Sequence, residues 1–197
     1  MILIHDKTKL LIDWCDYKAA KYAVMHWHYS KAMPVGKLIK YGVWENDKFI
    51  GAVIFGRGAN KGLFSPYGLE QTEGCELVRI ALNKHKTPVS RILAIVLKKL
   101  KHDFPSIRLI ISFADSSQGH HGGIYQATNW VYTGETQSAD EYIYKGKRLH
   151  GRAFRAIYGS HKDYLNKGLK IVSGSKKHRY IMPLDGKVKI DGLEYPK

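Results

Sequence analysis

The run "AVMHWHYSKAMPVGK", residues 23–37, gathers His26, Trp27, His28 and Tyr29 where a helical stretch runs out toward Pro34 and Gly36. Side chains of these types stack on planar ligands and move protons, and loops held by rigid elements are where such chemistry is usually carried. A capped helix end with core-facing rings accounts for the same residues, so both readings stay open at this point. A second run, "KGKRLHGRAFRAIYGSHKDY", interleaves Lys147, Arg148, Arg152 and Arg155 with Phe154, Tyr158 and Tyr164. Cations that pair with phosphates beside rings that stack on bases are the footprint of nucleic-acid binding; a solvated basic face is the plainer alternative. The "GHHGG" segment offers His120 and His121 either as members of a histidine and carboxylate site for iron or as a flexible, phosphate-touching loop. Adjacent residues seldom point at one ion, which weighs against iron.

Composition bounds what these residues can belong to. A chain of 197 residues with 44% hydrophobic content can bury one full core and suits a single domain with an elaboration. Thirty-two Lys and Arg against seventeen acids leave a formal charge of +15, and from Lys145 onward fourteen basic residues face four acidic ones. That imbalance, carried by one segment, favours a polyanionic partner. Two cysteines, Cys15 and Cys75, lie far apart in no metal-ligand spacing, so neither a disulfide framework nor a zinc site is indicated. No apolar run reaches the roughly 18 residues that span a bilayer. The opening "MILIHDKTKLLIDW" meets charge too early for a secretory signal, so a cytoplasmic protein without membrane contact is expected.

The elements that must position the chemistry follow along the chain. "DYKAAKYAVMHW" has helical spacing after a cap at Asp13 or Asp16, and "LIKYGVWENDKFIGAVIFGRG" reads as a hairpin around Glu45-Asn46-Asp47-Lys48. "CELVRIAL" and "SIRLIISFAD" are short buried strands. Between them "TPVSRILAIVLKKLKHD" is a helix, with Thr87 as its cap, Pro88 in first position and Ser90 in the first turn. "GIYQATNWVYTGET" is a short helix leading into a strand, and "DEYIYKGKRL" is a further strand. The order is mixed α/β, with two buried strands flanking a helix whose N-terminus suits a phosphate. A core over residues 1–146 and a basic C-terminal extension over 147–197, packed on that core, are expected.

Over residues about 14–146 this order resembles the GNAT acyltransferases, and "YQATNWVYTG" from Tyr125 resembles the helix and strand that follow their fifth strand. The resemblance implies an acetyl-CoA donor held at the loop entering the helix after the fourth strand. Here that loop, "NKHKTPVSR", lacks the usual glycines and carries Lys84, His85 and Lys86. A His-Tyr pair after the first helix, an Asp closing the strand in "FADSSQGHHGGIY", a Tyr ten residues later and the late "KKHRYIMPL" together resemble the Mom family, an offshoot of the GNAT fold. That resemblance implies an enzyme that converts adenine in phage DNA to N6-carbamoylmethyladenine, which protects the DNA from host restriction. It implies catalytic positions at His28, Tyr29, Asp115 and Tyr125, and donor-side positions at Arg79 and Ser90, with Lys86 and Ser117 beside them. An adenine must leave the duplex to reach a pocket, and it then needs stacking rings and a group for its amine proton. Because the product carries a CH2 on the adenine nitrogen, glycyl-tRNA is an alternative donor to acetyl-CoA. The expected partners are double-stranded DNA and tRNA, for a monomer or homodimer. The competing function is a conventional N-acetyltransferase acting on a small-molecule or protein amine.

Overall fold

The structure, a computed structural model, describes residues 2–5, 8–58, 60 and 62–196. The side chains of residues 2–5 and of Arg152 lie outside the described set. The chain opens with a hairpin of β1 (Ile2–His5) and β2 (Thr8–Trp14), continues through α1 (Tyr17–Trp27), and forms a second hairpin of β3 (Leu38–Glu45) and β4 (Lys48–Gly56). Asp16 caps α1 by accepting the Ala19 N–H at 2.6 Å, satisfying a donor that the helix start would leave without a partner. The β3–β4 turn is two residues long, with Asn46 and Asp47 at φ 50° and 62°. These residue types tolerate the positive φ that a tight hairpin demands.

Next come β5 (Gly74–Leu82), α2 (Val89–Asp103), β6 (Leu109–Asp115), the one-turn α3 (Gly123–Gln126) and β7 (Val131–Glu135). The remaining elements are β8 (Asp140–Tyr144), β9 (Lys147–His150), α4 (Gly151–Tyr158), β10 (Lys170–Ser173) and β11 (Lys177–Pro183). Eight strands form one sheet in the order β1-β2-β3-β4-β5-β6-β11-β7, antiparallel except for the β5–β6 pair. Alternation along β4 divides the core. Ala52 and Ile54 meet Ala20, Ala23 and Val24 of α1 on one face, while Val53 and Phe55 join Ile92, Leu93, Val96 and Leu100 of α2 on the other. Each large apolar side chain buried this way contributes about 1.5–3 kcal/mol.

Two features of the sheet make the site. The parallel pairing of β5 with β6 runs only from Gly74–Leu109 to Leu77–Ser112, after which the two strands separate. At that point β5 bulges: Leu77 pairs with Phe55 and Arg79 with Ile54, leaving Val78 as the extra residue. A bulge bends a strand and re-aims its side chains, and it brings both Val78 and Arg79 to the opening between the strands.

Three expectations from sequence are corrected. Thr87 does not cap α2: Pro88 holds that position, with no side-chain cap, because the Thr87 hydroxyl is bonded to Glu45. "DEYIYKGKRL" is not one strand but the β8–β9 hairpin, turning at Lys145 (φ 48°) and Gly146 (φ 73°). The boundary expected at 146/147 falls in that turn, and β11 lies inside the main sheet between β6 and β7. The residues after 146 are therefore not simply packed on the core, since they supply a strand of its sheet. Residues 140–173 are an insertion between β7 and β11: a three-stranded β10-β8-β9 sheet with α4, built around Tyr142, Tyr144, Phe154 and Leu169. The insertion leaves and rejoins the sheet at one place, where the Thr136 N–H donates to the Lys177 carbonyl at 2.8 Å.

Candidate active site

Where β5 and β6 part, a cavity of about 790 Å³ opens. His28, Tyr29, Arg79, Asp115 and Tyr125 all line it, although they come from the α1 run-out, two strands and α3. The fold thus brings together the four residues expected to be catalytic and one of the donor-side four.

His28 ends α1 as its C-cap, and its Nδ1 accepts the Ser30 backbone N–H at 3.1 Å. That donor fixes the neutral tautomer with the proton on Nε2. Burial, with the nearby Arg79 and His120, pushes the imidazole pKa down to about 4, so near neutral pH His28 offers an N–H and carries no charge. Its ring stacks on Tyr29 at 4.4 Å, and Tyr29 in turn meets His120 edge-on at 5.6 Å. Trp27 lines the same wall. Rings therefore border this side of the cavity, and Tyr29 is half exposed. Burial and the Asp115 charge raise the Tyr29 pKa.

Asp115 closes β6 and caps the turn that follows. Its Oδ1 accepts from the Ser117 N–H at 3.1 Å, the Ser117 hydroxyl at 2.7 Å and the Ser175 hydroxyl at 3.0 Å. Oδ2 is left with Lys177 Nζ at 3.9 Å. Burial works to raise the carboxyl pKa, but the Ser117 and Ser175 bonds and the Lys177 charge outweigh it and hold the group below the ordinary range. Ser117 is thus exposed and bonded to Asp115.

Tyr125 is buried, and burial raises its pKa to about 12. Its hydroxyl lies 2.8 Å from Ser112 Oγ, which also lies 2.8 Å from the Leu77 carbonyl. Ser112 has one proton and the carbonyl can only accept, so Ser112 donates there and accepts from Tyr125. Gly122 supports this wall from behind. At φ +81°, a Cβ there would lie 2.2 Å from the Tyr180 ring, and Tyr180 itself donates to the His121 carbonyl at 2.5 Å.

Arg79 joins the two rims, donating through Nε to the Ala32 carbonyl at 3.3 Å and through Nη1 to the Val78 carbonyl at 2.7 Å. The other donor-side residues lie elsewhere. Ser90 faces a separate hollow of about 400 Å³ between α2 and residues 127–129, and Lys86 is exposed at the start of α2. His120 and His121 have different neighbours, Tyr29 and His178. Among the described residues no three His, Cys, Asp or Glu side chains converge as a metal site, so the donor set does not fit the iron considered from sequence. Of the basic run, Lys147 is exposed on β9 and Arg155 on α4. Arg148 is exposed but paired with Glu141, and the Arg152 side chain is outside the described residues.

The profile of the Mom protein family matches residues 9–197. This chain belongs to the Mom family. It is 27% identical over 188 residues to the methylcarbamoylase Mom of Escherichia phage Mu, covering 91% of this chain and 78% of that one. Solved structures share the fold. An acetyltransferase from Bacillus subtilis in complex with CoA superposes with a TM-score of 0.53 at 13% identity, covering 89% of this chain and 97% of the other. The ribosomal-protein-S5-alanine acetyltransferase of Vibrio fischeri gives 0.51 at 9%, covering 94% and 98%. The Mom-family chain therefore has the GNAT fold expected from its element order.

In this Mom-family chain an acidic side chain from the end of β3 holds the loop that enters α2. The Glu45 carboxylate already accepts the Lys86 N–H at 2.8 Å, the Thr87 N–H at 2.8 Å and the Thr87 hydroxyl at 2.7 Å. Pro88 has no N–H to give. A side-chain anion thus occupies two backbone donors of the loop just ahead of α2, and Glu45 is buried there. Sequence reading placed Glu45 in a polar turn and missed it. The available signal was the same loop's lack of glycines. Ser112 was missed too, and its signal was one hydroxyl in the otherwise apolar "LIISF".

Proposed function

We propose that this protein modifies adenine in double-stranded DNA on its exocyclic amine, leaving N6-carbamoylmethyladenine and protecting the DNA from restriction enzymes. The observation that carries the reading is the cavity between β5 and β6, which Trp27, His28, Tyr29, Asp115 and Tyr125 line together. A flipped base needs stacking rings and edge partners. His28 Nε2–H can donate to a ring nitrogen, and Oδ2 of Asp115, with Lys177 Nζ at 3.9 Å, can take the amine proton as the nitrogen attacks. Tyr125, kept protonated, can supply the leaving oxygen with its proton by giving up its bond to Ser112. The name of the phage Mu relative supports the carbamoyl product. Nucleoside analysis of DNA from cells expressing the chain tests the reading. The modified adenine is expected, and its absence overturns the proposal.

For the donor we infer an activated glycyl ester, with glycyl-tRNA as the polyanion suited to the chain's positive charge. The adenine nitrogen attacks the ester carbonyl, releasing the tRNA hydroxyl and forming a glycyl amide. The free glycyl amine then attacks C6 through a five-membered ring, and the bond from C6 to the original nitrogen breaks. The product is the isomeric carbamoylmethylamine, with the glycine nitrogen now on the ring. Acetyl-CoA would need a separate nitrogen source, and Glu45 at the start of α2 weighs against it. Growth on labelled glycine separates the donors: both carbons and the nitrogen of glycine enter the modified base, and a base free of the label eliminates the glycyl route.

A further inference from the structure

We propose that the loop from Lys31 to Lys37 is the element that opens the duplex, with Val35 entering the base stack in place of the extruded adenine. The inference rests on the reading of the β5–β6 cavity as the site of a flipped base, and it adds what holds the DNA open. The loop leaves that cavity directly. Tyr29 lines the cavity, the Ala32 carbonyl is bonded to Arg79 on its rim, and Val35 follows three residues later, within about 10 Å along an extended chain.

The loop has a firm base and an apolar tip. Met33 packs under α1 with the Ala20, Ala23 and Val24 cluster, and Pro34 fixes its own φ. Val35 is 100% exposed, the most of any large apolar side chain among the described residues. Single exposed apolar residues are ordinary on protein surfaces, but this one is flanked by exposed Lys31 and Lys37. An apolar wedge with a cation on either side is what base-unstacking proteins insert between phosphate backbones.

The surface beside the loop suits the strand. Val35 and Tyr17 line one shallow hollow, which puts the loop next to the start of α1, whose outward face runs on from there. That face presents Lys18, Lys21, Tyr22 and His26, all exposed, with Tyr22 stacked on His26 at 4.1 Å. No acidic residue occurs between Asp16 and Glu45. Cations interleaved with rings form a track for a phosphate backbone and its bases.

Val35→Ser removes the wedge and Val35→Leu keeps it, and at a fully exposed position neither endangers folding. The readouts are the modified adenine in plasmid DNA from expressing cells, and affinity for two oligonucleotide duplexes, one fully paired and one with an abasic site opposite the adenine. Val35→Ser is expected to lower both modification and paired-duplex affinity by about tenfold or more, since unstacking costs a few kcal/mol. It should bind the pre-opened duplex as the wild type does, and Val35→Leu should restore both losses. Equal behaviour of Val35→Ser and wild type overturns the wedge, as does an equal loss on both duplexes. In either case a modified wild-type plasmid leaves the adenine reading standing. An unmodified wild-type plasmid overturns the adenine reading and the wedge together.

Discussion

At the residue scale, the site works by giving each polar group a fixed task. Asp115 divides its carboxylate, Oδ1 holding the turn together through Ser117 and Ser175 and Oδ2 lying 3.9 Å from Lys177 Nζ, and the proposed function gives Oδ2 the amine proton. Asp115→Asn can keep an oxygen acceptor at the cap but cannot take a proton, so it should fold normally and lose modification by ~10²–10⁴-fold, the range for general acid–base groups. Modified adenine per total adenine, beside a melting curve, checks this. Asp115→Ala should in addition lose ~1 kcal/mol of stability with the cap. For His28, the pKa of about 4 means that the folded protein binds no proton there between about pH 4 and the ordinary imidazole value near 6.5. The unfolded chain does bind one in that window, so His28 contributes stability at neutral pH that is lost as pH falls from about 6.5 toward 4. The His28 ring resonances should stay in their neutral position down to about pH 5 and titrate below it. A midpoint near 6.5 would show the ring solvated, and would remove the fixed Nε2–H from the mechanism.

At the element scale, the end of β3 controls the start of α2. Glu45 is buried against the Lys86 and Thr87 N–H groups and the Thr87 hydroxyl. Burial works to raise its pKa, and the bonds from Thr87 and Lys86 outweigh it. The depressed value makes this stabilisation present above the ordinary Glu pKa and lost as pH falls through the folded one. Glu45→Ala leaves those donors without a partner and should cost ~2–4 kcal/mol in urea unfolding, at roughly 1.5–3 for a hydrogen bond to a charged group. A change below ~0.5 kcal/mol would mean that the loop is held by other contacts. This arrangement also shows what sequence could and could not reveal. Elements set by local signals were legible: an acidic cap at Asp13 or Asp16, which the structure gives to Asp16, the turn within residues 45–48, and the strands and helix of "CELVRIAL", "SIRLIISFAD" and "SRILAIVLKKL". The partnership of Glu45 with residues 86 and 87 was not, because 41 and 42 positions separate them and only the β3–β4 and β5 pairings bring them together. The same holds for Thr87, whose local pattern reads as a cap while a long-range carboxylate decides its role. His28, Tyr29, Asp115 and Tyr125 were singled out only through family resemblance, since spacing alone left each with a packing explanation. The structure adds that they share one cavity.

At the scale of the whole molecule, the insertion from 140 to 173 has its own aromatic core and joins the main sheet through one narrow connection at Thr136 and Lys177. That junction adjoins the site, because Ser175 donates to Asp115 and the Ser116 hydroxyl donates to the Lys176 carbonyl. The cations of the insertion stand outside its core. Lys145 and Lys167 lie over the Tyr144 and Tyr164 rings at 5.5 and 5.1 Å, while Lys147 and Arg155 are exposed. The proposed function makes this basic module a source of affinity for the phosphate backbone that stays out of the chemistry, because phosphate contacts position a duplex and carry little sequence information. Lys147→Ala and Arg155→Ala should each weaken binding to all duplexes about equally, and each should reduce the slope of log affinity against log salt by about 0.9 for one lost phosphate contact. Arg148→Ala should change the slope less, since its guanidinium is already paired with Glu141 and releases fewer counterions on binding. Modification at saturating DNA should fall less than affinity in all three, as none of these side chains lines the cavity. DNA affinity measured across a salt series for the three variants gives the decision. Unchanged slopes for Lys147→Ala and Arg155→Ala would assign the module's charge to the tRNA donor instead, and the same series repeated with tRNA should then show the lost contacts.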